Sequence, residues 1–346
     1  MDSVAIIGAP GYAGVELTRL VLAHPHLELS VVTSASQAGR AVGEVYPALA
    51  AYTDLAYEDP DVSSVAERVT VVFLAVPHTA AMSIAPDLLE AGILVIDASA
   101  DFRLSDAETY ESWYEVSHSA KHLLPEAVYG LPEMNRASLT GARLVACPGC
   151  YPTASILAAL PALESGATAG RHVVVDAKSG VSGAGRTPTP GTHFPTVNES
   201  VQPYKVATHR HTPEIEQMLS RAAGREMRVT FSPHLVPMTR GLLSTVYLEL
   251  DRGFSAEELV ALYRERYADE PFVTVHDAGT MPSTAEVKGS NRAHIGLAVD
   301  AHTGTLIAAC AIDNLVKGTS GQAIQCANIV LGHEETAGLS TPMPVV

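Results

Sequence analysis

A glycine-rich turn between a hydrophobic strand and a helix is the feature that most restricts how this chain can fold. The β-branched run Val4–Ile7 is typical of a buried strand, the segment Gly8–Gly14 follows it directly, and residues 12–24 carry apolar side chains at helical spacing. Glycines at such a turn let backbone N–H groups at the helix N-terminus approach a pyrophosphate. The GxxGxxG spacing is a variant of the dinucleotide fingerprint, and a plain strand-to-helix turn is the alternative. The predicted contacts are Gly8, Gly11, Tyr12, Ala13 and Gly14.

Alternation of strands and helices continues through the first third of the chain. Further strands are predicted at 29–33, 69–76 and 94–97, with a helix at 80–91 before the last of them. This order is typical of a parallel sheet with right-handed crossovers. We therefore predict an α/β Rossmann-type dinucleotide-binding domain over residues 1–147.

A different pattern begins near residue 172, where strands lie closer together and helices are interspersed less regularly. The predicted strands include 173–176, 243–250, 272–276 and 295–300, and the predicted helices are 213–223 and 255–268. This pattern predicts an α+β domain with a mixed sheet over residues 148–314. The segment 315–346 contains a last predicted helix, which we expect to return to the first domain.

The end of the second strand indicates which dinucleotide the chain binds. An NAD enzyme usually carries an acidic residue there, which bonds the ribose 2′-hydroxyl. Here the chain has hydroxyls and a guanidinium but no acid, a set that suits a 2′-phosphate. NADP is therefore favoured over NAD, and a loop rich in Ser and Thr without a ligand is the alternative. The residues concerned are Thr33, Ser34, Ser36 and Arg40.

Cys150 is the candidate nucleophile. It lies between an apolar run at 144–146 and a helical stretch at 154–160, so it is expected at the start of a helix. There the helix dipole and free N–H groups stabilise a thiolate and could hold an oxyanion. A redox pair with Cys147 and simple burial are the alternatives. The other two cysteines, Cys310 and Cys326, are single and widely spaced, so a four-ligand zinc site is not expected and no metal is predicted.

His209 and His211 are the candidate bases for that thiol. They precede Thr212, Pro213 and Glu214, which we predict as the N-cap, the first position and the first turn of a helix. Residues two apart in an extended segment share a face, so both imidazoles can face one cleft. A neutral imidazole beside the thiol could accept its proton and later return it, and a surface histidine is the alternative.

The overall charge excludes some partners. The chain has 346 residues, with 22 Lys and Arg against 38 Asp and Glu, which gives a formal net charge of −16. That field repels nucleic acid and anionic membranes, so neither is expected as a partner. The sequence contains no apparent membrane span or export signal, and four cysteines in so long a chain do not form a disulfide scaffold. A reducing cytoplasm is therefore the expected location.

Eight segments spread over nearly the whole chain carry a resemblance to a known family. These segments are Gly8–Gly14, Ala98–Arg103, Tyr129–Glu133, Pro148–Thr153, Lys178–Arg186, His209–Ile215, Pro233–Pro237 and Asp313–Gly318. Together and in this order, they resemble the N-acetyl-γ-glutamyl-phosphate reductase family, which is related to aspartate-semialdehyde dehydrogenase. One departure is Cys147, where many relatives have Asn, and it puts any role of that Asn side chain in doubt.

The resemblance implies an activity and roles for individual residues. Family enzymes of arginine biosynthesis reduce N-acetyl-γ-glutamyl phosphate to N-acetylglutamate 5-semialdehyde and release phosphate. Cys150 is then the nucleophile that forms a thioester, His209 is the acid and base, and Asn314 meets the nicotinamide. The predicted cofactor site also includes Ala75, Pro77, Ser182 and Gly183. The predicted substrate contacts are Arg103, Pro148, Tyr151, His211, Glu214 and Arg240.

Two other functions stay open at this point. One is a reductase for a related acyl phosphate, either aspartyl phosphate or a carrier-bound amino-acid phosphate. The other is a non-catalytic protein that senses NADP, although such a sensor has no need of a nucleophile. The resemblance also implies a homo-oligomer, a dimer or a tetramer, with the second domain serving both catalysis and dimerisation.

Overall fold

The computed structural model describes residues 1–340, and the chain divides into two compact units. The first unit contains Met1–Pro148 and the segment that begins at Thr319, and the second contains Gly149–Gly318. The predicted division points follow residues 147 and 314. The predicted returning segment 315–346 includes residues 341–346, which lie outside the described residues.

A parallel sheet of six strands forms the core of the first unit. Its strands are β1 (Asp2–Ile7), β2 (Leu27–Thr33), β3 (Val71–Leu74), β4 (Leu94–Asp97), β5 (Val128–Tyr129) and β6 (Leu144–Ala146). They lie in the order β2-β1-β3-β4-β6-β5, and every neighbouring pair is parallel. All four residues of β3 are buried, as expected for a central strand of a sheet that is covered on both faces.

Six helices of the first unit lie between these strands along the chain. They are α1 (Tyr12–Leu22), α2 (Val42–Val45), α3 (Val62–Ala66), α4 (Ala81–Glu90), α5 (Ala107–Tyr114) and α6 (Pro132–Leu139). Short 3₁₀ turns lie at Pro47–Leu49 and Lys121–Leu123. Asp61 caps α3 by accepting from Ser64 N, and Asp106 caps α5 by accepting from Thr109 N, so both helices begin at side-chain caps.

A mixed sheet of seven strands forms the second unit. Its strands are β7 (His172–Gly180), β8 (Gln202–Pro203), β9 (Arg228–Val236), β10 (Leu242–Glu249), β11 (Val273–Val275), β12 (Ala293–Asp300) and β13 (Thr305–Ile312). Their order is β11-β12-β13-β10-β7-β9-β8. The β11–β12 and β7–β9 pairs are parallel and the other four pairs are antiparallel.

Helix α7 (Cys150–Glu164) is the central helix of the second unit. Its residues from Tyr151 to Leu163 are all buried, because it is apolar on every side and lies between the sheet and two other helices. Tyr263 on one of those helices and Tyr267 at its C-cap donate hydroxyl hydrogen bonds to carbonyl oxygens of α7, both at 2.7 Å. The remaining helices are α8 (Phe194–Val197), α9 (Thr212–Ala223), α10 (Ala256–Arg266) and, in the first unit, α11 (Gly321–Leu331). Shorter helical turns lie at Val181–Ala184, Pro190–Thr192, Thr284–Glu286 and Val316–Ser320.

The predicted fold class is confirmed, with one local correction. The first unit is a Rossmann-type parallel sheet, and the second is an α+β unit with a mixed sheet. Thr212, predicted as the N-cap of a helix, is instead the first residue of α9, and His211 occupies the cap position. The shift by one residue arises because Pro213 also fits the second helical position, where its missing N–H is equally harmless.

A buried carboxyl lies at the last residue of the fourth strand of the first unit. Asp97 is fully buried, and its two oxygens accept from Ser99 N (2.8 Å) and Ser99 Oγ (2.9 Å). Burial, and then the neighbouring charge of Asp101, raises the pKa of Asp97 to about 7. The segment Ala98–Arg103, which was recognised only as a family motif, is therefore a turn organised around this carboxyl.

We predict that Asp97 makes stability depend on pH. Its pKa is higher in the folded than in the unfolded state, so its contribution is lost as pH rises from about 4 to about 7. The slope of the unfolding free energy from this group is at most about 1.4 kcal/mol per pH unit. Asp97→Asn keeps the acceptor for Ser99 N and removes the titration. Urea unfolding of both proteins between pH 4 and 9 should therefore give stabilities that differ least near pH 4 and diverge up to about pH 7, and parallel curves would contradict the assignment.

Candidate functional site

The start of α7 presents Cys150 to its surroundings. Gly149 is the N-cap, and the first intrahelical bond runs from Thr153 N to Gly149 O (2.9 Å). The amides of Cys150 and Tyr151 precede that bond and point out of the helix start. All four cysteines are free thiols, and Cys150 alone of them is not buried. A half-exposed thiol at the positive end of a buried 15-residue helix is placed to act as a thiolate.

The backbone at Gly318 packs closely against Cys150. A Cβ atom on Gly318 would lie 2.7 Å from Cys150 Cβ, so only glycine fits at that position. Gly318 N donates to Asp313 O (2.9 Å), and the buried Asp313 carboxylate accepts from the amides of Leu315 and Val316. The turn Asp313–Gly318 therefore fixes the surface against which Cys150 rests. The sequence marked this segment as a motif but gave no sign of this contact.

Glu214 anchors the start of α7 from the neighbouring helix. Its carboxylate accepts a hydrogen bond from Gly149 N at 2.9 Å, and the residue is 1% exposed. A carboxylate at this point lies next to the positive end of the α7 dipole, where negative charge is stabilised. Glu214 was predicted as a substrate contact. The contact observed is to the backbone, and it positions the residue that follows Gly149.

His209 lies within a cluster of aromatic rings. Its ring centroid lies 5.7 Å from that of Tyr151, 5.5 Å from Tyr204, 5.2 Å from Phe231 and 4.7 Å from His211, all in edge-to-face arrangements. Tyr204 donates to the Tyr151 hydroxyl (3.2 Å), and Tyr151 donates to His234 O (3.0 Å). These hydroxyl bonds fix the two tyrosine rings that border the imidazole.

The electrostatics of this cluster keep His209 neutral. Burial, followed by the charges of Lys205 and Arg210, lowers the pKa of His209 to about 4. Its Nδ1 accepts from His211 N at 3.1 Å, so the neutral ring carries its proton on Nε2. Burial also raises the pKa values of Tyr151 and Tyr204, with a further contribution from the charge of Cys150. Cys150 thus acts electrostatically on the two rings that border His209.

The sequence did not identify two members of this cluster. Tyr204 begins the segment that contains both histidines, so its position was available but its ring contact was not. Phe231 is 2% exposed on β9, and an alternating strand pattern predicts only that it faces the core. Which core side chain touches a catalytic candidate depends on strand register, which single-sequence patterns do not define.

The glycine-rich turn of the first unit fits a dinucleotide. A Cβ atom on Gly8 would lie 2.5 Å from Ala75 O, and a Cβ atom on Gly14 would lie 2.6 Å from Gly8 O. Only glycine therefore fits at these two positions of the turn. The first bond of α1 runs from Val15 N to Gly11 O (2.8 Å). The amides that precede this bond, those of Tyr12, Ala13 and Gly14, are the donors available to a pyrophosphate.

The predicted 2′-phosphate residues gather at the end of β2. Ser34 Oγ lies 3.4 Å from Ser36 Oγ, and the exposed Arg40 guanidinium donates to Gln37 at 2.7 Å. Thr33 is fully buried, and its carbonyl oxygen accepts from Gly8 N (3.3 Å) and from Ala9 N. Thr33 therefore supports the turn, while the two serines and Arg40 offer the polar groups. Ala75 is half-buried and Pro77 is exposed after β3.

Asn314 joins three loops of the second unit. Its Oδ1 accepts from Gly241 N (2.8 Å), and its Nδ2 donates to Ser182 Oγ (2.9 Å). Gly183 lies beside this junction, since a Cβ there would lie 3.6 Å from Asn314 Nδ2. Asn314 is 1% exposed, and its amide is held by these two hydrogen bonds. The residue predicted to contact the nicotinamide therefore has a fixed orientation.

The predicted substrate residues are divided between the two units. In the first unit, Arg103 donates to Cys147 O (2.7 Å) and Ala98 O (3.0 Å), and so ties together the ends of β4 and β6, beside the buried Pro148. In the second unit, Arg240 lies 3.5 Å from the Asp313 carboxylate and is one-quarter exposed. The second unit brings the remaining residues together: Tyr151, His211 and Glu214 all belong to the Cys150–His209 surroundings.

Comparison with known proteins defines first the class and then the family. Residues 3–142 match the model described as semialdehyde dehydrogenase, NAD binding domain, and residues 150–314 match semialdehyde dehydrogenase, dimerisation domain. The chain is 50% identical to an N-acetyl-gamma-glutamyl-phosphate reductase of Desulforudis audaxviator over 99% of both chains. It is 51% identical to one of Symbiobacterium thermophilum, over 99% of this chain and 98% of the other. The chain therefore belongs to the N-acetyl-γ-glutamyl-phosphate reductase family, within the semialdehyde dehydrogenases.

Solved structures share the fold at low identity. An aspartate semialdehyde dehydrogenase II of Vibrio cholerae, complexed with ASA, superposes with a TM-score of 0.73 at 16% identity, over 96% of this chain and 98% of the other. The Candida albicans enzyme, with NADP, superposes with a TM-score of 0.73 at 15% identity, over 95% and 98%. The predicted family and the predicted dinucleotide-binding domain are confirmed. None of the described helices is long and apolar enough to cross a membrane.

We predict that Glu214 acts as a positioning residue through its bond to Gly149. Glu214→Ala leaves a buried N–H without its acceptor, a loss that typically costs about 1–3 kcal/mol, and releases the start of α7. We expect kcat to fall at least tenfold. Glu214→Gln retains an oxygen acceptor, so kcat should stay within about threefold of the wild type. The test is to measure steady-state kinetics and urea unfolding for both variants. If kcat of the Gln variant is as low as that of the Ala variant, a direct role for the charge of Glu214 is favoured.

Proposed function

We propose that this protein reduces N-acetyl-γ-glutamyl phosphate to N-acetylglutamate 5-semialdehyde, using NADPH and releasing phosphate, as the third step of arginine biosynthesis. The sequence identity to relatives of that name, 49–51% over 98–99% of the chain, supports the substrate. The single structural observation that carries the chemistry is the half-exposed thiol of Cys150 at the start of α7. A non-catalytic sensor would not require such a thiol.

Thioester formation is the first step. The Cys150 thiolate attacks the acyl carbon of the acyl phosphate, the bond between that carbon and the phosphate oxygen breaks, and phosphate leaves with the electron pair. The outward amides of Cys150 and Tyr151 are available to the oxyanion that forms on the acyl oxygen. The dipole of α7 favours the thiolate before attack, so the step does not require His209 to hold the thiol proton.

Release of the aldehyde is the second step. Bound NADPH supplies the hydride that reduces the thioester carbon. The resulting tetrahedral species, still bonded to Cys150, collapses to aldehyde and thiolate without a proton transfer. When the thiol form is restored, the neutral His209 ring first takes up a proton from solvent, and the imidazolium so formed passes a proton to the thiolate. The depressed pKa of His209 suits this role, because the ring is neutral at pH 7 and its imidazolium form exists only briefly and gives up the extra proton readily.

Residue roles in substrate and cofactor binding follow from charge and position. Ser34, Ser36 and Arg40 supply hydroxyls and a guanidinium for a 2′-phosphate, which supports NADP over NAD. Arg240 is partly exposed, and its guanidinium can contact an anionic group of the substrate while Asp313 orients it. Arg103 carries a positive charge beside Cys147 and Pro148, which supports it as a substrate contact for an anionic group.

The assembly and location belong to the same proposal. A homo-oligomer, a dimer or tetramer formed through the second unit, is supported by the match of residues 150–314 to a dimerisation domain. A cytoplasmic location is supported by four cysteines that are all free thiols, one of them required for the chemistry. The net charge of −16 argues against nucleic acid as a partner.

The reverse reaction tests the proposal. NADPH formation is followed from N-acetylglutamate 5-semialdehyde, phosphate and NADP, and the rate should depend on phosphate and be much lower with NAD. Cys150→Ala should lower the rate by roughly 10³-fold or more because the covalent route is lost. Cys310→Ala, which removes a buried thiol of the same unit, is the matched control and should retain most activity.

Two outcomes would contradict the proposal. Faster turnover of aspartate 4-semialdehyde would assign the protein to the related acyl phosphate. Activity that survives Cys150→Ala would remove the thioester mechanism, whatever the substrate.

A further inference from the structure

Three side chains outside the reaction site converge at one edge of the mixed sheet. His276 Nε2 lies 3.3 Å from His294 Nδ1, His294 Nδ1 lies 3.0 Å from Glu286 Oε2, and His276 Nε2 lies 3.7 Å from Glu286 Oε2. We infer that these three residues bind a divalent transition-metal ion of the zinc class. No cysteine takes part, so the sequence argument against a cysteine zinc site did not address this cluster.

The distances fit tetrahedral coordination. Zinc bonds imidazole nitrogen at about 2.0–2.1 Å and carboxylate oxygen at about 2.0–2.2 Å, so two ligand atoms of a tetrahedral site lie about 3.3–3.4 Å apart. The three observed separations bracket that value. One ion can therefore reach all three atoms without movement of the backbone. Two imidazoles and one carboxylate, with a fourth position left for water, form a ligand set that zinc uses in proteins.

The ligands stand on fixed backbone. His294 is the second residue of β12 and pairs with Ala311 of β13. His276 follows β11, and its N–H donates to Ile295 O (2.8 Å), which holds it beside the same strand. Glu286 ends the helical turn Thr284–Glu286, whose cap Ser283 accepts from Ala285 N. Ligands on strands and on a capped turn lose little conformational entropy when an ion binds.

Hydrogen bonding alone serves this cluster poorly. If both nitrogens that face the cluster carry protons, His294 Nδ1 donates to Glu286 at 3.0 Å, but His276 Nε2 lies 3.7 Å from that oxygen and faces the His294 N–H at 3.3 Å. If only one of the two nitrogens carries a proton, that N–H cannot bond both of the other two atoms well, so one of the three contacts is weak in either arrangement. A cation accepts a lone pair from all three at once. The side chains of His276 and His294 are 15% and 17% exposed, whereas that of Glu286 is 42% exposed, so solvent reaches the site from the glutamate side.

The proposed ion would fasten a loop of the second unit. Glu286 begins a segment in which Gly289 N donates to the Asp313 carboxylate at 2.6 Å. Thr284, two residues before Glu286, packs closely against Gly241. A Cβ atom on Gly241 would lie 2.9 Å from Thr284 Cβ. An ion that ties Glu286 to β12 therefore holds the segment that touches Asp313 and Gly241. The role inferred is structural, and it does not depend on which acyl phosphate the protein reduces.

Metal titration of the full chain tests the inference. Cys150→Ala is used as the background, so that the reactive thiol does not compete for the ion, and the protein carries no polyhistidine tag and is first treated with EDTA. We expect one equivalent of Zn²⁺ to bind with a Kd in the micromolar range or below and to raise Tm. Co²⁺ in place of Zn²⁺ should give the intense visible absorption of a tetrahedral site.

Variants of the cluster separate this site from adventitious binding. Glu286→Gln and His294→Asn should each weaken Zn²⁺ binding at least tenfold, and the Tm of each metal-free variant reports whether it folds. His302→Asn, an exposed histidine in the turn after β12, is the matched control and should bind as the background does. Absence of stoichiometric binding, an octahedral cobalt spectrum, or equal affinity in the cluster variants and the control would each overturn the inference.

Discussion

The hydrogen bond between Gly149 N and the Glu214 carboxylate fixes the start of the helix on which the proposed chemistry depends. Helix α7 is buried along nearly its whole length, so packing fixes the direction of its axis. Packing alone does not fix the orientation of its first residue, Cys150, which also depends on the hydrogen bond at Gly149. Glu214 defines that start from α9, and the close approach of Gly318 defines the opposite side of Cys150. The backbone that carries Cys150 is thus held by a buried carboxylate and by a close backbone contact.

The rings and charges around His209 determine the electrostatics of the site. His209 is surrounded by rings and by two cationic neighbours, so its charged form is disfavoured and the imidazole stays neutral. Tyr151 belongs both to α7 and to the ring cluster, which makes the position of Cys150 and the environment of His209 parts of one arrangement. A change that moved α7 would therefore shift Cys150 and alter the environment of His209 together.

Sequence patterns predicted the elements better than the contacts between them. The turn Gly8–Gly14 and the helix start at Cys150 follow from local chemistry, because glycine and helix-terminus preferences act within a few residues. The partner of Gly149 lies 65 residues away, and Phe231 reaches His209 only through strand register. The cluster of His276, Glu286 and His294 has no recognisable spacing along the chain, so its convergence appears only once β11 and β12 are paired.

Trapping of the acyl-enzyme is the measurement that tests the central claim most directly. The protein is mixed with N-acetyl-γ-glutamyl phosphate without NADPH, and phosphate release and the intact mass are followed on the millisecond to second scale. A thioester at Cys150 predicts a burst of about one phosphate per chain and an added acyl mass on the peptide that contains Cys150. The absence of a burst, or an acyl group on another residue, would contradict the assignment of Cys150 as the nucleophile.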